Sequence, residues 1–304
     1  MTEPNRIFDR ALLHERRRRI VRRMDTVGSD VLPDFLLRHA GGDVVDRLAM
    51  INRRFERAVV IGSYHGLVAR ALEATGVARV FEVESVAELA ELSTGRNRIV
   101  ADEETLPFEA ETFDLAVSVL ALQYVNDLPG VLAQIRHLLR PDGLFIGVVL
   151  GGATLAELRH VMLEAEAAVT GGASPRVAPF IDVRDAGGLL QRAGFALPVT
   201  DVETLEVTYP SALHLMRELK AMGAGNVLHE RSRRPMTRSV LFEAVERYGR
   251  SFPAPDGEAG RIRATFELVT LTGWAPDESQ QKPLRPGSAK ARLADALKTR
   301  ERKL

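Results

Sequence analysis

Glycines and carboxylates follow directly on strand-like segments of this 304-residue chain, in positions where they can hold a nucleoside. Gly62 and Gly66 permit a tight turn after the first segment, and the helix that follows can offer its N–H groups to a ligand. Glu84 ends the second segment, where a carboxylate can accept both hydroxyls of a ribose. Asp102 and Glu103 follow the third, where a carboxylate can accept a hydrogen bond from an adenine amino group.

Each feature also has a purely structural interpretation. A turn between a strand and a helix can use two glycines, and an acidic residue at a strand end can be a solvated charge. Because the features follow three successive strands, their combination favours a nucleoside site more than any single match does.

The segment after the fourth strand would face the reactive end of such a ligand. Tyr124 is the predicted catalytic or substrate-facing residue, although an aromatic ring packed beneath a cap explains it equally well. Asn126 and Asp127 precede a helix, so we interpret both as capping residues. No metal site is predicted, since none of the seven histidines has a carboxylate two positions later or a second histidine four positions away.

Apolar segments alternate with helical ones, which is typical of a parallel sheet covered on both faces. Two later segments alternate polar and apolar residues, as antiparallel strands do, and the helical stretch between them is interpreted as an inserted cap. The predicted strands are 58–63, 79–84, 98–101, 113–120, 144–150, 201–209 and 264–274.

The composition restricts the functional class. With 41 basic and 41 acidic side chains, the chain has no net field that would attract nucleic acid. The absence of cysteine excludes disulfides, thiolate metal sites and a cysteine nucleophile. No apolar run approaches the roughly 20 residues of a membrane span, and the N-terminus lacks signal-peptide order. We therefore expect a cytoplasmic protein.

The two ends carry the excess positive charge. Consecutive arginines at 16–19 predict either a solvated or acid-paired surface helix over 7–24, or an arm that docks on an acidic partner, an anionic membrane surface or RNA. Segment 171–180 is either a lid or a surface loop. Segment 223–226 is either a helix stop or a hinge.

The order of VVIGSYHG, FEVE, ADEETLPF, TFDLAVSVLALQYVNDLP and LLRPDGLFIG resembles that of class I S-adenosylmethionine-dependent methyltransferases. Further segments, from IFDRALL to GWAPDESQQKPLRPGSA, are similar to the methyltransferase-like assembly factors of respiratory complex I, and the similarity covers nearly the whole chain. The carrier-protein methyltransferases of biotin synthesis resemble only the core. The resemblance implies a Rossmann-like fold with a mostly parallel seven-stranded sheet and an inserted helical cap.

The resemblance also implies S-adenosylmethionine as cofactor, with Gly62, Ser63 and Gly66 in the glycine loop, Glu84 as the ribose acid, and the segment of Asp102 and Glu103 beside the adenine. Tyr64 stands where this loop usually has its middle glycine. The expected organisation comprises a basic helical segment (1–50), a core (51–206), a helical cap (207–260), a last core strand (261–276) and a basic tail (277–304).

Three functions follow as alternatives. The first is modification of a protein substrate, a complex I subunit, by methyl transfer or arginine hydroxylation. The second is a catalytically inactive assembly factor that kept the fold, which the tyrosine in the glycine loop favours. The third is a carrier-protein or small-molecule methyltransferase.

Overall fold

Seven strands form one sheet in the computed structural model, which describes residues 6–27, 33–255 and 260–281. Their order across the sheet is β3-β2-β1-β4-β5-β7-β6, and β7 is antiparallel to both of its neighbours. This confirms the predicted mostly parallel, seven-stranded fold. The strands are β1 (Arg57–Ile61), β2 (Arg79–Glu84), β3 (Asn97–Val100), β4 (Phe113–Val119), β5 (Leu139–Leu150), β6 (Ala196–Tyr209) and β7 (Ile262–Trp274).

Nine α-helices pack around this sheet within the described ranges. They are α1 (Arg10–Val27), α2 (Phe35–Ala49), α3 (Leu67–Ala74), α4 (Ala87–Leu92), α5 (Leu128–Leu138), α6 (Ala156–Thr170), α7 (Val183–Arg192), α8 (Ala212–Ala221) and α9 (Arg238–Ser251). The central strands are buried on both faces, since every residue of β4 is buried. Two large apolar clusters, one on each face of the sheet, form the core.

The late antiparallel pair lies at one edge of the sheet. Strand β6 begins at Ala196, five residues earlier than predicted, because its first residue already pairs with Trp274 of β7. Helices α8 and α9 lie between these strands in the sequence, where the inserted cap was expected. Gly223, just after α8, has a φ of +77°, which agrees with the interpretation of segment 223–226 as a helix stop.

Helix α1 packs its inner side against the protein. Phe8, Leu13 and Ile20 are buried, and the backbone N–H of Asp9 donates to the carbonyl of Val227 over 2.8 Å. Gly223 lets α1 approach the end of α8, because a Cβ there would lie 2.7 Å from Cδ1 of Ile20. The helix is thereby held over the carboxyl ends of the first strands.

In the described part of the chain, no helix combines the length and the apolar character that a membrane crossing requires.

Candidate functional site

The loop after β1 makes the turn that its glycines predict. Gly62 and Gly66 have φ values of +71° and +76°, and the N–H groups of Gly62 and Ser63 both donate to the carbonyl of Val83. A Cβ on Gly62 would lie 2.1 Å from the Cβ of Ala121, and one on Gly66 would lie 2.1 Å from Oγ of Ser93. The protein's own packing therefore demands both glycines, so the turn by itself does not distinguish a structural role from a ligand cradle.

Glu84 lies at the end of β2, beside this loop, and only 1% of it is exposed. Its Oε2 accepts from the backbone N–H of Tyr64 over 2.9 Å, and its Oε1 accepts from that of Val86 over 3.1 Å. Glu84 is therefore no solvated surface charge. Its carboxylate fixes the glycine loop to the second strand.

Two arginines of α1 bind the carboxylates that were predicted to hold the nucleoside. Nη2 of Arg10 donates to Oδ1 of Asp102 over 2.6 Å and to Oε2 of Glu103 over 2.5 Å. Nη1 of Arg17 lies 3.0 Å from Oε1 of Glu103 and 3.4 Å from Oε1 of Glu84. The structure thus brings the three acidic residues together, with two guanidinium groups on them.

Burial and the ion pairs together determine the pKa values of Glu84 and Glu103. Burial alone would raise the pKa of Glu103, but Arg17 and Arg10 outweigh it and hold that pKa at about 2. Burial raises the pKa of Glu84, and the neighbouring Glu103 adds to the rise while Arg17 opposes it. The two carboxylates titrate as a pair, and we assign the lower pKa to Glu103 because it contacts both arginines.

The cavity beside the glycine loop has a volume of about 100 Å³ and is lined by Arg17, Gly62, Tyr64, Ala121 and Tyr124 among others. That volume holds a few water molecules, each of which occupies roughly 30 Å³ in the liquid. Glu84, Asp102 and Glu103 do not line it. In this conformation the cavity does not reach the carboxylates predicted for the nucleoside, because Arg10 and Arg17 of α1 bind them, so the residues fit S-adenosylmethionine only if α1 moves.

Tyr64 takes the conformation that a glycine would take in this loop, with a φ of +56°. A left-handed backbone costs a non-glycine residue about 1–2 kcal/mol. The side chain has contacts that can offset this cost: its hydroxyl donates to the carbonyl of Met222 over 3.3 Å, and its ring packs edge-on against His65. The tyrosine therefore links the glycine loop to the end of α8.

The polar residues after β4 have different roles. Asp127 caps α5, since its Oδ1 accepts from the N–H of Gly130 over 2.9 Å, as predicted. Asn126 is not a cap, and that interpretation is wrong: its Oδ1 accepts from the N–H of Phe8 over 2.8 Å and its Nδ2 donates to the same residue's carbonyl over 3.2 Å. Asn126 thus anchors the segment that leads into α1.

Tyr124 is buried in a 3-10 turn and packs edge-on against Phe8, with ring centroids 5.8 Å apart. It lines the small cavity and also a larger one beside α6 and α8. It is therefore both a packing residue and a wall between two cavities, so its predicted substrate contact stays a prediction.

One group of potential metal ligands occurs in the described part of the chain. His14, Asp102 and Glu103 each offer a ligand atom within 4.8 Å of the others. Both carboxylates already accept from Arg10, and burial lowers the pKa of His14. The two carboxylates are accounted for by their ion pairs with Arg10, in which His14 takes no part.

The predicted basic helix lies partly inside the protein. Arg17 is only 6% exposed, whereas Arg18 and Arg19 lie outside and pair with Glu15, as an acid-paired surface helix would. The contacts of Arg10 and Arg17 with the three carboxylates were not predicted from the sequence. Their spacing carried a signal, since positions 10, 13, 17 and 20 follow the helical repeat and all point inward.

The segment 171–180 lies over α6 as a fixed loop. Arg176 forms an ion pair with Glu166, and the carbonyl of Pro175 accepts from Nδ2 of Asn226 over 2.8 Å. Arg176 is therefore paired and largely buried, with 18% of its side chain exposed.

A family model described as a methyltransferase domain matches residues 59–147. Mouse arginine-hydroxylase NDUFAF5, mitochondrial, is 37% identical over 297 residues, which are 96% of this chain and 84% of the mouse protein. The human protein is 36% identical over 93% of this chain and 81% of its own length. The chain belongs to the NDUFAF5 family. The malonyl-(acyl-carrier protein) O-methyltransferase of Methylovorus sp. (strain MP688) is 34% identical over 89% of this chain and 88% of its own.

Solved structures support the fold of this NDUFAF5 relative. The YcgJ protein from Bacillus subtilis has a TM-score of 0.55 at 14% identity, covering 79% of this chain and 99% of that one. Protein BH2331 from Bacillus halodurans C-125 has a TM-score of 0.53 at 14% identity, covering 77% and 98%. The predicted family and methyltransferase fold are confirmed. The prediction of a cytoplasmic protein is wrong, because the NDUFAF5 proteins that the chain matches are mitochondrial.

Proposed function

We propose that this chain binds S-adenosylmethionine and modifies, or helps to assemble, a protein subunit of respiratory complex I. The observation that carries the proposal is the similarity to NDUFAF5 along 96% of the chain, which includes every element around the glycine loop. Because those relatives are named arginine hydroxylases, an arginine of the partner subunit is the proposed target. The basic ends are the proposed contact surfaces.

We further propose that α1 controls the nucleoside site. Arg17 contacts Glu84 and Glu103, and Arg10 contacts Asp102, so the carboxylates predicted for the nucleoside are bound by cations of the same chain. A nucleoside reaches Glu84 only when Arg17 withdraws. The affinity measured for the whole chain is then lower than that of the open site by the fraction of molecules in which α1 is open.

Calorimetric titration with S-adenosylmethionine and S-adenosylhomocysteine tests the ligand. We expect both to bind wild-type protein and Glu203→Gln, a change on β6 far along the sheet from Glu84, and to lose most of their affinity in Glu84→Gln. If folded wild-type protein binds neither ligand, the chain is an assembly factor that kept the fold without the cofactor. Equal binding to Glu84→Gln and wild type would place the ligand elsewhere.

Mass spectrometry of complex I subunits tests the reaction. Subunits from cells with and without the chain are compared for the mass gain of one methyl group or one oxygen atom. An arginine that gains oxygen only when the chain is present supports hydroxylation, and a residue that gains a methyl group supports transfer. Identical subunits in both cells contradict a modifying role.

A further inference from the structure

A second, larger cavity lies beside Tyr124 and has a volume of about 560 Å³. Helices α1, α6 and α8 and the segments 176–180 and 223–227 border it, and it opens to the surface. Its size falls in the range of roughly 300–1,000 Å³ that is typical of small-molecule sites. It shares Tyr124, Gly223 and Ala224 with the smaller cavity, but neither the glycine loop nor any of the three site carboxylates lines it.

The walls of this cavity are largely apolar. Leu155, Leu158 and Phe180 contribute to them, and three of the seven methionines of the chain, Met162, Met216 and Met236, line it as well. Methionine is unbranched and polarizable, so it adapts to ligands of varied shape. These walls suit a flexible apolar body better than a ring with a fixed pattern of polar groups.

All charged side chains among the described residues that line the cavity are basic: Arg16, Arg19, Arg176 and Lys220. Of these, Arg176 is paired with Glu166 and Arg19 with Glu15. A guanidinium substrate would meet like charges here and no carboxylate, so this cavity is not suited to the side chain of a target arginine.

Arg16 is a basic residue of this cavity wall whose hydrogen bonding is incomplete. Its Nη1 is buried and has no hydrogen-bond partner among the described residues. Gly225 makes room for the guanidinium, since a Cβ there would lie 2.4 Å from Nη1. Burial, together with the charges of Arg231 and Arg19, lowers the pKa of Arg16. The half-buried guanidinium therefore lies at the cavity wall without a carboxylate among the residues that line it, and the headgroup of an anionic ligand in the cavity would balance its charge.

We propose that this cavity binds a single-chain amphiphile with an anionic headgroup, of the fatty-carboxylate type. The carboxylate accepts from Arg16, and the apolar chain lies along the methionine and leucine walls of α6 and α8. The proposal involves neither S-adenosylmethionine nor a complex I subunit, so its test is independent of the test of the proposed function.

The test is calorimetric titration of the full chain with dodecanoate below its micelle-forming concentration, compared with dodecanol and dodecylammonium. We expect dodecanoate to bind most tightly and dodecylammonium least. Arg16→Gln should weaken dodecanoate binding about tenfold or more, as loss of a charged hydrogen bond does. The matched control Arg18→Gln changes a residue of α1 outside the cavity, which pairs with Glu15, and should leave binding unchanged.

A second variant keeps the test independent of Arg16. Met216→Trp fills the cavity from a partly exposed wall and should abolish dodecanoate binding while the thermal unfolding transition is retained. Equal binding of dodecylammonium and dodecanoate, or full binding by Arg16→Gln, would overturn the proposal. So would binding of anionic phospholipid vesicles without binding of dodecanoate, or binding of dodecanoate only after removal of residues 282–304.

Discussion

Replacing Arg17 with methionine should strongly destabilise the protein. Arg17 is buried between Glu84 and Glu103, and the change keeps a long side chain while it leaves two buried carboxylates without that partner. Removing one member of a buried ion pair costs about 3–5 kcal/mol, because the remaining charge is uncompensated. Arg18→Met, on the outer side of α1, removes exposed pairs with Glu15 and Glu88 and should cost less than about 1 kcal/mol.

The assay is equilibrium unfolding in urea, with the free energies of unfolding of both variants compared with wild type at several pH values. Without Arg17, burial and the neighbouring Glu103 raise the folded-state pKa of Glu84 above the unfolded value of about 4.3, whereas Arg10 still pairs with Glu103. The penalty is therefore full above the raised folded pKa and shrinks as pH falls through it. Arg17→Met should be closer to wild type at pH ~5 than at pH ~8.

Two results would refute this reasoning. A loss of stability no greater than that of Arg18→Met would mean that Arg17 is not a buried partner of the carboxylates. A loss that does not change with pH would mean that it arises from packing. As a check, Glu103→Gln combined with Arg17→Met should cost less than the sum of the single changes, since the two residues are in contact.

Three further predictions concern the same site. Asn126→Ala should speed amide hydrogen exchange at the start of α1, because it removes both hydrogen bonds to Phe8; unchanged exchange would contradict the anchor. Tyr64→Gly should bind S-adenosylhomocysteine more tightly in calorimetry than wild type, because it removes a ring that lines the cavity, whereas Tyr64→Phe should not. Equal affinities of Tyr64→Gly and wild type would mean that the ring does not limit the space for the ligand. The ion pairs of Glu103 stabilise the folded protein fully above about pH 4.3, and this stabilisation is lost as pH falls toward the folded pKa of about 2. The free energy of unfolding of Glu103→Gln, measured over the same acid range, should not show this loss.

The sheet could be predicted from the sequence because its signals are local. Apolar runs such as 113–120 and the turn at Gly62 depend on neighbouring residues, and the strands formed close to where they were expected. The proximity of Glu84, Asp102 and Glu103 could also be predicted from the sequence, because the carboxyl ends of parallel strands meet at one edge of the sheet.

The role of α1 could not be read in this way. Arg17 is one of four consecutive arginines. Which of them points inward depends on how α1 packs against Glu84, which is 67 positions away in the sequence. Asn126 was misinterpreted for a similar reason: its partner, Phe8, is 118 positions away, whereas the capping interpretation used only the adjacent helix. Long-range contacts of this kind leave no local pattern.

The proposed competition between Arg17 and a nucleoside for Glu84 and Glu103 is tested most directly by calorimetric titration of S-adenosylhomocysteine into wild type and Arg17→Gln, with Arg18→Gln as the matched control. We expect binding to all three, with Arg17→Gln severalfold tighter than wild type and Arg18→Gln equal to it. Weaker binding by Arg17→Gln would contradict this competition, because Arg17 would then be part of the ligand site.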